Sequence, residues 1–578
     1  MNVKKITPYA SNRQSGRKAH FFSLISIAVL IAVISGCSSA QSGGGQPASQ
    51  SEQNMARQSE QNSAQSNEQK TVREPAQLTV ALTAEPRSLD SAYNYETASF
   101  HVVNNINEAL LYFKPDGSLA PALAENWREA DALTYVYQIR QGVKFSDGSP
   151  LTIDDVIYSM ERIRDPKLAS DENWMYANVD AITKTGDWEI TVKLARPDAT
   201  WQYVPATSGG QIVSRAFTES KGDAYGKPNG GSLGTGPYKL EKWVSGSGFV
   251  LTRNEYYWDT DASIDIDKVI INIIPDINAV QLALESGQAD LTVSSSKDML
   301  SAFENSAALK IVSRPSVSNS VLSFNTQKAP FNDVFVRKAI ACAVDSVNIR
   351  KSQLGEYGAD AGDLPFGEAG YTLGDKQSWI DFNETLPDYS YDIGKAKAFL
   401  ASSAYPDGFS TSLYYKPDAV SHNIAQAIQA SLKELNIAVE LRQCQASEYY
   451  AFAYGGKITD GVMDYDMGIN AWSPDFPDPA GHLLPQYQSS NSGEGGANYA
   501  AYQNDEVDAL CARQNEVTDP QERAELIQKA FSLAAQEAPY KYLFYNKNSL
   551  VINKKFDYEL SPMWIFNFYY KDVKLVEN

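Results

Sequence analysis

The chain has 578 residues, a formal net charge of −20, 43% hydrophobic residues, four cysteines and four histidines. Such acidity excludes a nucleic-acid partner, which needs a basic footprint on the protein, and so few histidines exclude a histidine-rich metal site. The length allows two or three domains.

The first segment is read apart from the fold. Lys4, Lys5, Arg13, Arg17 and Lys18 make it basic, and no acid precedes Cys37. Setting those five charges aside takes the remainder from −20 to near −25. The apolar run from Phe21 to Ile34 has the length of a signal-peptide core and is short for a membrane span. It ends in Ile34-Ser35-Gly36-Cys37, which resembles the bacterial lipobox. That resemblance implies cleavage before Cys37 and a diacylglyceryl group on its sulfur; a plain secretory signal and an uncleaved anchor are the alternatives. Two or three acyl chains anchor stably where one is reversible. From Ser38 to Pro75 the chain is rich in Ser, Gln, Gly, Asn and Glu, a composition that buries too little surface to offset ordering entropy. It reads as a disordered tether. No later apolar stretch reaches membrane-spanning length.

Regular structure begins at Gln77, where LTVALTA alternates as a half-buried strand does. A helix is expected from Phe100 to Leu111, with Val103, Ile106, Ala109 and Leu110 along one face. TYVYQIRQGVKFSDGSPLTIDDVIYSMERI reads as a strand, a turn at Asp147-Gly148 and a helix, with capping-box spacing at Thr152 and Asp155. EITVKLARP is a strand. GGSLGTGPYKLEKW is a glycine-rich turn entering a strand, and VLTRNEYYWD and VIINIIPD are strand-like. NAVQLALESGQADLTV gives helix, glycine turn and strand. NDVFVRKAIACAVD, YDIGKAKAFLASS and HNIAQAIQASLKELN are helical, the last with Ile424, Ile428, Leu432 and Leu435 on one face. The strands IAVELRQ and MDYDMGIN follow. A helix opens at Asp519-Pro520, and YKYLFYNKNSLVI is a late strand. No repeat of solenoid length occurs, so the body is mixed α/β in more than one domain.

The chemistry is sparse. Gly230-Gly231-Ser232-Leu233-Gly234 fits GxSxG, but that elbow needs a preceding strand and a following helix. Here prolines flank it and a strand follows. There is no P-loop, no HExxH and no dinucleotide-binding glycine motif ahead of a helix. Cys342, Cys444 and Cys511 lie far apart in sequence and read as small buried hydrophobes, at least one of them free. No cofactor is called for. The stretch AWSPDFPDPAG, residues 471–481, is the oddity: three prolines forbid helix and central strand, yet hold a Trp and two carboxylates.

Six blocks carry a likeness: EPRSLDS; YVYQIRQGVKFSDGSPLTIDDVIYSMERI; GTGPYKLEKW with RNEYYWD; FNTQKAPFNDVFVRKAIACAVD; YDIGKAKAFLASSAYPDGF; and DYDMGINAWSPDFPDP. In order and spacing they resemble the oligopeptide- and dipeptide-binding lipoproteins of ABC importers (bacterial family 5), from about residue 77 to the end. The resemblance implies a two-lobed periplasmic-binding-protein-like α/β fold with the ligand in the interlobe cleft. It divides the chain into signal peptide 1–36, lipidated tether 37–76, lobe I in three parts (77–118, 234–320 and 531–578), an inserted subdomain at 119–233, and lobe II at 321–530.

The relatives' W-x-x-D element, which supplies the aspartate for the ligand amine, is here Trp472-Ser473-Pro474-Asp475. It implies Asp475 as amine partner, with Trp472 lining the cleft or sitting in the core beside it. The physics agrees: a buried ammonium needs a paired carboxylate, and a proline-stiffened loop holds one at little entropic cost. Asp478 reads as a turn or helix cap. Glu85 matches a ligand-near glutamate, or is an exposed loop acid. His422 matches a histidine near the peptide C-terminus, or is a surface residue. Ile469 stands where some relatives place an arginine, and only Lys416 is available to replace the arginine of dipeptide binders. That weakens a dipeptide reading.

The resemblance therefore implies a monomeric receptor on the outer face of the bacterial membrane. It would bind peptides, without catalysis, and hand them to the permease and ATPase subunits of an importer. The alternatives are the same fold with another solute (a signalling peptide, a nickel or haem complex, an oligosaccharide) or a surface hydrolase using Asp475 and Asp478.

Overall fold

The structure is a computed structural model of the chain and describes residues 75–93, 96–294, 296–445, 448–449, 458–459, 462–493, 496–563 and 568–576. The expected signal peptide, Cys37 and nearly all of the tether lie outside the described residues.

An eleven-stranded mixed sheet organises the body. Its spatial order is Ala438–Gln443, Ser410–Tyr415, Met467–Trp472, Leu309–Phe324, Tyr540–Asn553, Leu291–Val293, Gln77–Leu82, Lys268–Ile273, Gly248–Arg253 and Tyr238–Val244, with Gly358–Ala359 paired to Tyr540–Asn553 off this path. Two strands are long: Leu309–Phe324 has 16 residues and Tyr540–Asn553 has 14. They pair antiparallel from Leu309↔Asn553 to Ser323↔Tyr540, with register shifts between Pro315 and Asn319 and between Ser320 and Val321. Proline removes a ladder donor, and a bulge bends and twists a strand. On one side of the break Leu550–Ile552 pair with Leu291–Val293; on the other, Asn319–Phe324 pair with Met467–Trp472. The two long strands thus belong to both halves of the sheet.

Each half is covered on both faces, which is why its strands are apolar on both. Leu78, Val80 and Leu82 share one core with Val269, Ile271 and Leu550, whereas Ala81 shares another with Val280, Leu284 and Val551. In the other half, Leu322, Phe324 and Met467 meet Ile424, Ile428 and Leu432 of the helix Ala419–Leu432, the face its periodicity predicts. Val321, Tyr540 and Tyr542 face the helix Pro520–Glu537.

Residues 124–194 form a separate four-stranded antiparallel sheet with its own core. The helix Ile153–Arg164 starts at the expected capping box, Thr152 and Asp155 bonding reciprocally. Its Arg162 donates to both carboxylate oxygens of Asp90, in the EPRSLDS loop, at 2.7 and 2.5 Å.

Three expectations change. The first helix is Thr97–Ile106, not Phe100–Leu111. Asn107 turns extended because the chain leaves to meet another segment: Ala109 bridges Gln211, and Leu110 N–H donates to the Gly210 carbonyl. The VLTRNEYYWD strand stops at Arg253, since the buried Asn254 side chain donates to the Gly236 carbonyl and accepts from Tyr256 N–H, closing a turn. MDYDMGIN is broken: Met463 ends a two-residue strand and the longer strand starts at Met467, while Asp466 before it accepts from the Ser412 N–H and hydroxyl. The GxSxG segment is followed by the strand Tyr238–Val244 and preceded by a short helical turn, Gly222–Ala224, which is no hydrolase elbow. Cys342, Cys444 and Cys511 are all buried, as expected, and all three are free. Residues 320 and 321, where the sequence reading passes between lobes, fall at the second register shift. Residues 530 and 531 fall inside the helix Pro520–Glu537.

Candidate functional site

The loop after Met467–Trp472 is fixed from both sides. Phe476 inserts into the core of the 124–194 sheet and stacks on Tyr203, with ring centroids 5.5 Å apart and planes 11° from parallel. Pro477 lies on Gly117, whose φ of +86° only glycine adopts easily; a Cβ there would come within 3.2 Å of the proline ring. Thr372 Oγ1 donates to the Pro477 carbonyl. Asp478 accepts two bonds from the Arg523 guanidinium, at 2.6 and 2.9 Å, with both side chains nearly free of solvent (0% and 3% exposed). Arg523 Nε donates to Gln514 at 2.8 Å. The first half of the loop faces open space. Trp472 Nε1 donates to the Gly481 carbonyl at 2.8 Å, and the hydroxyls of Ser473 and Ser318 are bonded.

That open space is a cavity of about 1100 Å³. Trp472, Ser473, Asp475 and Phe476 line it, together with Trp174, Met175, Arg196 and Asp198 from an earlier part of the chain. Trp174 is a large apolar side chain left 49% exposed there. A second cavity of about 530 Å³ shares Ala471 and Asn546 with the first. It holds Lys416, Asp418, Lys297 and Asp298. Burial pushes the Lys416 ammonium below its usual range, against the opposing pull of Asp418. The ammonium lies 4.9 Å from the Tyr449 ring centroid.

One strand joins the two cavities. Met467–Trp472 pairs with Leu309–Phe324 over all six residues, but with Ser410–Tyr415 only at Met467 and Gly468. Among the described residues, Ile469 to Trp472 have no strand neighbour on that second side. The carbonyls of Ile469 and Ala471 accept from Tyr449 and Tyr499 hydroxyls at 3.1 and 3.3 Å.

The sequence-derived residues distribute unevenly. Asp475 and Trp472 line the large cavity together, and Trp472 also packs on the core beside it, so both readings of it apply. Lys416 and the buried Ile469 line the small cavity. Glu85 lines neither; its carboxylate accepts from Trp243 Nε1 at 2.8 Å, Gly246 N–H at 2.9 Å and Ser245 at 3.3 Å. His422 also lines neither, although its neighbours Ser421 and Asn423 line the small cavity; its Nδ1 lies 2.8 Å from the Tyr415 hydroxyl. Asp478 does accept from Ala480 N–H at 2.8 Å, as a turn cap, but its main partner is Arg523. A pair of free carboxylates for hydrolysis is therefore not present in this loop.

Sequence reasoning missed Arg523, Phe476, Trp174 and Glu172. Two had a signal. Arg523 sits at a buried-face position of its helix, in step with Ile527, Ala530 and Ala534, and Phe476 is the aromatic residue between two prolines of a polar loop. Glu172 had none. It is fully buried, Ser208 donates to its Oε1 at 2.6 Å, and its Oε2 has no hydrogen-bond partner. Burial first, then the nearby charge of Asp475, pushes its carboxyl up to about 8, against the bond from Ser208.

Comparison with known proteins sets this geometry in context. A model of the bacterial extracellular solute-binding proteins, family 5 (middle), matches residues 118–494. The chain is 28% identical to a protein of Haemophilus influenzae named haem-binding protein A, over 79% of this chain and 83% of that one. It is 27% identical to the oligopeptide-binding protein AppA of Bacillus subtilis, over 84% and 89%. The solved structure of the periplasmic binding protein DppA from Helicobacter pylori, in complex with peptide STSA, superposes with a TM-score of 0.71 at 24% identity, over 87% of this chain and 98% of that one. That likeness shows the fold, mixed α/β with two lobes, as the sequence implied. The family model covers well over half of the sequence, and the chain belongs to the bacterial extracellular solute-binding proteins of family 5.

Proposed function

We propose that this protein is a lipid-anchored extracytoplasmic receptor that binds oligopeptides between two lobes and delivers them to an ABC importer. One lobe would comprise 77–118, the subdomain 119–233, 234–320 and 531–578, and the other 321–530. Cys37 would carry the lipid and 38–76 would tether a monomeric body to the bacterial membrane, at the cell surface or the periplasmic face. Among the described residues no helix is long and apolar enough to cross a membrane. The observation that carries the reading is Asp475, a carboxylate on a loop fixed at both flanks, standing in a large cavity at the end of a strand that, among the described residues, has no strand neighbour beside Ile469–Trp472 on one side. A peptide ammonium needs such a carboxylate, and a peptide backbone adds to such a strand without regard to its side chains. Lys416, in the adjoining cavity, offers the opposite charge for a terminal carboxylate. Trp472 and Trp174 would flank the ligand, and His422 and Glu85 would act from the margins. AppA, which is named for oligopeptides, and the peptide-bound DppA structure point the same way. The test is mass spectrometry of ligands released by mild denaturation of purified protein. A mixture of peptides with free amino termini is expected; a single haem, metal chelate or sugar would end this reading.

A further inference from the structure

Glu172 is a carboxyl group that the ligand-binding reading leaves unexplained. It precedes the short helix Asn173–Tyr176, whose Trp174 and Met175 line the same large cavity as Asp475. It is completely removed from solvent, yet one carboxyl oxygen is unpartnered among the described residues. A buried unsatisfied polar atom is costly, and such groups gather at functional sites. The groups around it are few. Ser208 donates to one oxygen. Asp171 is its chain neighbour and is ion-paired with Arg87. Tyr176 follows on the same short helix, and Asp475 comes from the facing loop. Among the described residues no cation is one of them. Two acids approach the boundary of one cavity from different segments, and one of them is sealed from water.

We propose that Glu172 is the proton-holding partner of Asp475, so that a ligand cation docking on Asp475 drives the proton of Glu172 into solution. This rests on the peptide reading only for the identity of the cation. The cation offsets the negative charge of Asp475, one of the influences that keep Glu172 neutral. The O–H bond of Glu172 then breaks, the electron pair stays on its carboxylate, and the proton passes to buffer. Glu172 does not touch the ligand in this scheme. It acts through Asp475, as a device that makes recognition of a cation sensitive to pH.

Two measurements test the coupling. In ligand-free protein carrying carboxyl-13C glutamate, with the Glu172 resonance assigned from Glu172→Gln, the Glu172 titration should move to lower pH in Asp475→Asn. An unchanged titration refutes the acid pair whatever the ligand is. Calorimetry of tetra-alanine binding at pH 7.5, in buffers of different ionisation enthalpy, counts protons exchanged. The peptide amine takes up part of a proton in any variant, so the reading is a difference. The native protein should release roughly half a proton more per peptide than Glu172→Gln. Equal release by both proteins refutes the proposal. If tetra-alanine does not bind while Glu172 still responds to Asp475→Asn, the peptide reading fails and the acid pair stands.

Discussion

The two halves of the loop 472–478 use the same residue types for opposite ends. Asp478 is locked without solvent on Arg523, behind a phenylalanine seated in a neighbouring core. Asp475, three residues earlier, stands partly exposed in the cavity wall beside a tryptophan that also faces the cavity. Both are aspartates next to prolines, so residue type cannot distinguish them. What distinguishes them is burial: packing seals Asp478 on Arg523 and leaves Asp475 at the cavity wall. The second half of the loop acts as an anchor, and the first half is thereby held at the cavity wall.

This contrast can be broken at either end. Removing the anchor should have the largest effect. Arg523→Ala leaves Asp478 buried without its partner, and such a loss typically destabilises by about 3–5 kcal/mol. Denaturant unfolding should show that loss; a change under 1 kcal/mol would mean that the pair does not hold the loop. Asp475→Asn should do the reverse, with stability near native and affinity for a free-amine tetrapeptide lower by about 2 kcal/mol, ~30-fold. Isothermal titration separates the two: a stability loss equal to that of Arg523→Ala, or an affinity change within twofold, would erase the distinction between the halves.

The contrast extends to Glu172, a buried acid with no arginine. Its carboxyl rises from 4.5 to about 8, mainly through burial. The folded state therefore favours the neutral form. That contribution is fully present below about pH 4.5 and is lost as pH rises through about 8. Between pH 5 and 7.5 the native protein should lose stability faster than Glu172→Gln, by on the order of 1 kcal/mol per pH unit. Parallel stability curves for the two proteins would show that Glu172 is not held neutral. The smallest effect is expected from Trp472→Phe. It removes the bond to the Gly481 carbonyl but keeps an aromatic wall, and should cost about 1 kcal/mol in stability, read from the unfolding midpoint.

Much of this architecture was legible in local pattern. Periodicity placed the helix Ala419–Leu432 and its core face, and Thr152 with Asp155 marked the start of Ile153–Arg164. Those signals are local because capping and amphipathicity act within one or two turns. Asn107 was misread for the opposite reason. Nothing within four residues of it announces that the chain will leave the helix to meet Gln211, a hundred residues on. The site divides the same way. The W-x-x-D element identified Asp475 and Trp472, whereas Trp174 comes from a segment about three hundred residues earlier and carries no motif.

By itself, the sequence determined the mixed α/β class, most helix and strand positions, and a rigid proline loop bearing a tryptophan and two acids. These follow from turn chemistry, capping and period, which need only neighbouring residues. Tertiary structure alone decided what surrounds each of the two acids. It gave Asp478 an arginine 45 residues away and set Glu172 out of solvent within electrostatic reach of Asp475. Charge and burial at a point depend on every segment that folds around it, and no stretch of sequence contains that sum.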